Sequence, residues 1–121
     1  PDKSDTPSIG AYGPGWVAVG PEKITDSVII GSRGLRMAWN CPSFDDLTEG
    51  HFELLARQGP ELVIFGSGDR IRFPRPQWLQ ALIARRIGVE TMDTAAACRT
   101  YNVLAGEGRK VVAALIVEPP A

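Results

Sequence analysis

Two uninterrupted apolar runs, Leu62-Val63-Ile64-Phe65 and residues 111–117, constrain this chain more than any other feature of it. A strand with one wet face alternates apolar and polar residues. A continuous run of strand length therefore predicts a strand covered on both faces. Between the two runs the sequence reads glycine turn, basic segment, helix, strand, helix. Strands alternating with helices predict a sheet with parallel neighbours and helices packed against it. Residues 62–102 are the stretch around which the rest is organised.

Upstream the pattern changes. Residues 1–11 are polar, with two prolines and scattered charge, and read as a flexible tail. Residues 12–121 read as a single domain. Tyr12-Gly13-Pro14-Gly15 is a turn signal, and Trp16-Val17-Ala18-Val19 a short strand ending at Gly20-Pro21. Ile24-Thr25 extends an edge. Residues 27–30 and 35–39, separated by Gly31-Ser32-Arg33-Gly34, read as a hairpin. Thr48 is an N-cap candidate for a helix through Ala56, with Phe52, Leu55 and Ala56 on one face and Gly59-Pro60 as its stop. Pro74 and Pro76 set up a second helix. Its apolar stripe is Trp78, Leu79, Leu82, Ile83 and Ile87, with Gly88 as C-terminal stop. Residues 89–92 form the next strand. Asp93 or Thr94 caps a helix from Ala95 to about Ala105, closed by Gly106. Trp39 and Trp78 fit a core or an interface equally well.

At 121 residues a chain can bury roughly two thirds of its unfolded surface, so one core without metal or disulfide suffices. The net charge of −1 disfavours nucleic-acid binding. Residues 1–60 carry five Lys/Arg against eight Asp/Glu, and residues 61–121 eight against six, a mild shift compatible with an anionic ligand. Cys41 and Cys98 form no CxxC or Cys/His cluster, which points to two reduced thiols and no metal site. No stretch approaches the ~20 apolar residues of a membrane span, and no signal-peptide pattern opens the chain. The chain starts at Pro1 without a methionine, which leaves room for an upstream segment. Taken as given, it reads as cytoplasmic.

The candidate chemistry gathers at one end of the sheet. Gly66-Ser67-Gly68 follows a buried strand as a phosphate loop would. It lacks GxxxxGK, however, and position 71 is Ile, so GxGxxG fails. The simpler reading is that the glycines serve backbone conformation or close packing. Loops at the carboxyl ends of such strands are nevertheless where open α/β sheets bind ligands. The helix starting near Thr94 presents amides that could hold an anion, although Asp93 is placed to cap them itself. Arg99 and Asn102 share one helix face, and Tyr101 and Cys98 an adjacent one. Arg70, Arg72 and Arg75 form a basic trio that would attract carboxylate or phosphate if it faced Arg99, and is otherwise a solvated edge. Cys98, among alanines, reads as a buried inert thiol. His51 has no acid or thiol partner nearby in sequence. No Ser/His/Asp set emerges, so no catalytic residue and no cofactor is assigned.

Phe65-Gly66-Ser67-Gly68, Val89-Glu90-Thr91-Met92-Asp93-Thr94, Ala97-Cys98, Tyr101-Asn102-Val103-Leu104 and Glu107-Gly108-Arg109 resemble the Mth938-like domain family. This is a small domain of unknown function whose members include a mitochondrial respiratory complex I assembly factor and an adipogenesis-associated protein. The family pattern is a hydrophobic-Gly-Thr-Gly turn, then Thr-x-x-Ala-x-x-x-aromatic-Asn-x-Leu, then Glu-Gly-Arg. Thr94, Ala97, Tyr101, Asn102 and Leu104 fall on it in register, and Ser67 stands where the family often has Thr. The likeness spans about residues 17–117 and is specific in its second half. It implies three layers: a central mixed β-sheet with helices on one side and a β-hairpin plus helix on the other. It also implies a non-catalytic interaction or assembly module with a protein partner. The alternative is a small-molecule or anion-binding domain, conceivably an enzyme. Its site would lie between Gly66, Ser67, Gly68, Arg70 and Arg72 on one side and Asp93, Thr94, Arg99, Tyr101 and Asn102 on the other. Neither reading involves nucleic acid or membrane insertion.

Overall fold

The computed structural model describes residues 6–120. In chain order the strands and helices are β1 (Ile9–Gly13), β2 (Trp16–Val19), β3 (Glu22–Ile24), β4 (Val28–Gly31), β5 (Arg36–Ala38), α1 (Glu49–Arg57), β6 (Leu62–Gly66), α2 (Gln80–Ala84), β7 (Gly88–Met92), α3 (Thr94–Gly106) and β8 (Val111–Leu115). The central sheet has the order β5-β4-β8-β6-β7. It is mixed: β6 is parallel to β7 and β8, while β4 is antiparallel to β8 and β5. The antiparallel meander β1-β2-β3 forms a second sheet.

Two cores follow from the two apolar runs. Leu62 and Ile64 of β6, with Val111, Ala113 and Leu115 of β8, face Ile9, Val17 and the α3 residues Ala97, Cys98 and Tyr101. The alternate residues Val63, Phe65, Val112 and Ala114 face the opposite way, onto Phe52 and Leu55 of α1, Leu82 of α2, and Trp39. The period-2 alternation of a strand sends neighbours to opposite faces, so an all-apolar strand needs both covers. The three-layer arrangement is therefore as expected: α1 and α2 on one side, the meander and α3 on the other. Trp39 is core, and its ring meets Phe52 and Phe65 edge-on at 5.8 and 6.0 Å.

The helix ends are set by identifiable caps. The backbone N–H of Thr48 donates to Nδ1 of His51 at 3.0 Å, closing the start of α1. Nε2 of His51, which must then carry the ring proton, lies 2.8 Å from the Asn40 carbonyl. His51 is thus a structural cap and anchor.

Several boundaries differ from the sequence expectation. The expected tail overlaps β1, which begins at Ile9 because that residue is core, 2% exposed, and its backbone is bound by α3 (below). The rest of that tail, residues 1–5, lies outside the described residues. The expected helix through Ile87 is instead a 3-10 turn, Pro76–Leu79, followed by the five-residue α2. Ile83 leaves the stripe and is 66% exposed. Gly88 is not the stop. Arg86 takes the left-handed position, at φ 58°. The N–H of Ile87 donates to the Leu82 carbonyl at 2.9 Å and that of Arg86 to Ile83 at 3.0 Å. Those two bonds make a Schellman cap, whose hydrophobic contact brings Ile87 back to the core beside Leu82. The same pattern ends α3, where Gly108 at φ 83°, rather than Gly106, holds the left-handed position.

Arg86→Gly should raise stability by roughly 0.5–1 kcal/mol, because a side chain in the left-handed region is strained and glycine is not. Urea unfolding of the two proteins measures this. A lower midpoint for the glycine variant would mean that the Arg86 side chain contributes more than its backbone strain costs.

Candidate functional site

The carboxyl end of β6 and the start of α3 meet without a gap. A Cβ built on Gly66 would lie 2.9 Å from Leu115 Cδ2, 3.0 Å from Ala97 Cβ and 3.0 Å from Thr94 Cα. Glycine at 66 therefore lets the helix start rest on the strand end. Ser67 is fully buried. Its N–H donates to the Met92 carbonyl at 2.9 Å, while its hydroxyl donates to the Arg70 carbonyl and accepts from the Arg72 N–H, both at 2.8 Å. Gly68, at φ 109°, donates its N–H to Thr94 Oγ1 at 2.9 Å and accepts from the Thr94 N–H at 2.8 Å. The Thr94 hydroxyl in turn donates to the Ile116 carbonyl at 2.8 Å. One hydroxyl thus joins the β6 turn, α3 and the residue after β8.

The amides at the start of α3 are largely committed. Asp93 Oδ1 accepts from Ala96 at 2.8 Å, the Asp93 carbonyl accepts from Ala97 at 2.9 Å, and Thr94 is bound by Gly68. Only the Ala95 amide, of the first four, has no such partner among the described residues. The helix start is self-capped and offers an anion little.

The arginines do not converge. Arg72 donates to the Ser67 carbonyl from Nη2 at 2.6 Å and from Nε at 3.1 Å, pairs with Glu118 Oε1 at 2.8 Å, and lies 4.8 Å over the Phe44 ring. Arg75 lies over Trp78. Phe44 and Trp78 belong to the core on the α1–α2 side. Arg99 goes to the other side, where its Nη1 donates to the Tyr12 hydroxyl at 2.7 Å. The expected basic cluster is therefore split between the two faces of the sheet. Arg70 contributes its carbonyl to the Ser67 hydroxyl and carries an exposed side chain.

Tyr101 and Asn102 bind backbone. The Tyr101 hydroxyl donates to the Pro7 carbonyl at 2.7 Å. Asn102 Nδ2 donates to the Ile9 carbonyl at 2.8 Å, and its Oδ1 accepts from the Ile9 N–H at 2.9 Å. The amide is thereby a two-pronged splint that mimics a strand partner for β1. Burial raises the Tyr101 hydroxyl well above the usual tyrosine range and pushes the Cys98 thiol up to about 12. Cys41 is pushed up to about 11, by burial first and then by Asp46. Neither thiol is a poised nucleophile. Among the described residues no group of three or more His, Cys, Asp or Glu could hold a metal ion, and no helix is long and apolar enough to cross a membrane.

A cavity of about 420 Å³ does open beside the junction. It is lined by residues 12–16, Gly68, Asp69, residues 93–95 and residues 116–120. Of the residues singled out in sequence, Gly68, Asp93 and Thr94 line it. Gly66, Ser67, Arg70, Arg72, Arg99, Tyr101 and Asn102 do not. The expected anionic ligand finds no support, because among the described residues the charged ones of the lining are Asp69, Asp93 and Glu118, all acidic. Sequence reasoning missed Tyr12, Trp16 and Glu118. The one available signal was a lone carboxylate, Glu118, between an apolar strand and Pro119-Pro120.

Residues 9–116 match the family described as "Protein of unknown function (DUF498/DUF598)". The chain is 45% identical over 83 residues to the bovine protein named NADH dehydrogenase (ubiquinone) 1 alpha subcomplex assembly factor 3, which covers 67% of this chain and 45% of that protein. The chain thus spans about half the length of the curated assembly-factor relatives it first matches. Among solved structures, a crystal structure from Bordetella parapertussis superposes with a TM-score of 0.87 at 34% identity, covering 93% of this chain and 96% of that one. A solution NMR structure of a Mth938-like domain from Bordetella pertussis gives a TM-score of 0.86 at 27% identity, covering 100% and 91%.

Thr94→Val should cost about 2 kcal/mol, since the Gly68 amide and the Ile116 carbonyl both lose their partner, while Thr94→Ser should stay close to the parent. Equal stability of Val and Ser variants in urea would remove the hydroxyl from this role. The thiols give a pH dependence. Their folded values lie above the ordinary value of 9.0, so the stability they contribute is intact below pH 9 and falls as pH rises toward about 11 and 12. Unfolding midpoints at pH 8 and about pH 10 should show a drop that is smaller in a Cys41→Ala/Cys98→Ala variant. The same drop in both proteins would assign it to other groups.

Proposed function

The chain belongs to the DUF498/DUF598 family, of the Mth938-like domain fold, and from that premise we propose that it is a non-catalytic interaction module that holds a protein partner during assembly of a larger complex, acting in the cytoplasm. The related assembly factor supports the class of role. The observation that carries the reading for this chain is the loop between Gly68 and Pro76. Phe73 is 71% exposed there and Ile71 50% exposed, against the rule that large apolar side chains seek the core. The loop is nonetheless pinned. Arg72, between them, is held by the Ser67 carbonyl and Glu118. A rigid loop that displays Ile71 and Phe73, with Arg70 and Arg75 exposed alongside, suits an interface whose apolar centre is rimmed by charge. Arg72 is internal wiring and Arg99 lies on the other side, so the partner surface is assigned to Ile71 and Phe73.

Phe73→Asp should leave the urea midpoint within about 0.5 kcal/mol of the parent, as exposed substitutions do, and lower recovery of a stoichiometric partner about tenfold or more. The measurement is quantitative co-purification of the tagged chain from its native cell. Undiminished recovery with Phe73→Asp would move the interface elsewhere, and the absence of any stoichiometric partner would end the module reading. A second reading rests on the 420 Å³ cavity, a size that suits small-molecule sites. In it the chain binds a small molecule beside Gly68, Asp93 and Thr94, with Gly66 and Ser67 shaping the turn.

A further inference from the structure

We infer that the cavity beside the start of α3 takes a small organic cation, an amine or guanidine carried on an aromatic or apolar body. This rests on the small-molecule reading just given and goes beyond it by fixing the charge and shape of the ligand. The body of the ligand is set by the walls. Tyr12 and Trp16 from the β1–β2 hairpin stand on one side, with Ile116, Val117 and Pro119 from the segment following β8 on another. A volume of about 420 Å³ accommodates a ring with a short chain.

The charge is set by what remains unspent. Among the described residues, no Lys or Arg lines the cavity. The Thr94, Ala96 and Ala97 amides are committed, as is the Gly68 N–H. Donors for an anion are therefore scarce, the Ala95 amide being the exception at the start of α3. Acceptors are not. Glu118 uses Oε1 on Arg72 and Oε2 on the Phe44 N–H, so its charge is answered. Asp93 uses one oxygen on Ala96 and retains the other. Asp69 lines the cavity with an exposed side chain. Two carboxylates beside two aromatic rings form the chemistry that selects a cation. The carboxylates accept charge-assisted hydrogen bonds, and the ring faces attract positive charge. One face of each ring is already taken, by Lys23 at 4.7 Å from the Trp16 centroid and by Arg99 at 5.9 Å from that of Tyr12, so the two carboxylates carry the preference for a cation.

The test is an NMR titration of the isotope-labelled chain with three probes of one shape: phenethylamine, 2-phenylethanol and phenylacetate. Phenethylamine should shift the amide resonances of Gly68, Ala95 and Val117 and bind roughly fivefold or more tighter than the alcohol, with phenylacetate weakest. In Asp69→Asn/Asp93→Asn the amine should lose that advantage. Asparagine caps a helix about as well as aspartate, so α3 keeps its start, and an unchanged thermal midpoint verifies this. If the double variant is destabilised, Asp69→Asn alone and the weakening of amine binding with added salt provide the same readout. Equal or tighter binding of the alcohol or of phenylacetate overturns the cation assignment while leaving a small-molecule cavity. An amine preference that survives the double variant, or survives high salt, also overturns it. If no probe binds, the small-molecule reading falls with it.

Discussion

Everything in this fold answers to the fact that β6 and β8 have no wet face. Each carries apolar side chains in both directions, and each side must be closed. The sequence does so with two different kinds of cover. On one face the short helices α1 and α2 and the Trp39 ring build an aromatic core, in which Phe52 stacks on Trp78 at 5.9 Å. On the other face a single long helix lies beside a small sheet. The second cover is the more demanding, because a helix and a strand meander have unlike surfaces and must be joined by something other than ridge-and-groove packing. Asn102 and Tyr101 do this by binding the backbone of residues 7 and 9 directly.

That division explains why a polar motif in the middle of the chain looks like chemistry. Thr94, Tyr101 and Asn102 are polar because they sit at seams between elements, where backbone groups lack ladder partners and burial without a hydrogen bond is costly. Among the described residues, every buried side-chain nitrogen or oxygen has a partner. Ser67 and Thr94 connect three segments at the end of the sheet. Ser27 and Ser32 do the same at the two ends of β4, each accepting a backbone N–H, from Val117 and Val111 respectively. The polar side chains act as splints between layers. What the splints leave uncommitted is the exposed apolar loop and the acid-lined cavity, both at the end of the sheet where open α/β folds place their ligands.

The layers and element order were legible because they depend on periodicity. Apolar runs and stripes report which faces are buried, and the glycines at 59 and 66 together with the cap at Asp93 mark ends that local sterics enforce. Two kinds of feature were not legible. One was any stop set by tertiary demand, such as Arg86 in the left-handed region, which holds because Ile87 must return to the core. The other was direction. Arg72 and Arg99 look alike as residues, yet they go to opposite faces because their neighbours Phe44 and Tyr12 belong to opposite cores. Nothing local in the sequence encodes pairings such as Arg72 with Glu118, 46 positions away, or Asn102 with Ile9, 93 away. The glycine turn, the helix start and helical spacing brought the polar residues into one candidate site, whereas the geometry leaves only Gly68, Asp93 and Thr94 of them on the cavity wall.

The strand order has a kinetic consequence. β8 is the last strand in sequence but sits at the centre, between β4 and β6. Until it is made, β4 and β6 each present an unpaired edge, and both cores lack their middle row. The hairpin β4-β5 and the β6–α2–β7 unit can form early, but nothing joins them. Joining the β4-β5 half to the β6-β7 half within the sheet therefore depends on residues 111–115, a long-range pairing of the kind that slows folding. Weakening β8 would expose two strand edges at once, which makes this strand the one whose loss most invites edge-to-edge association.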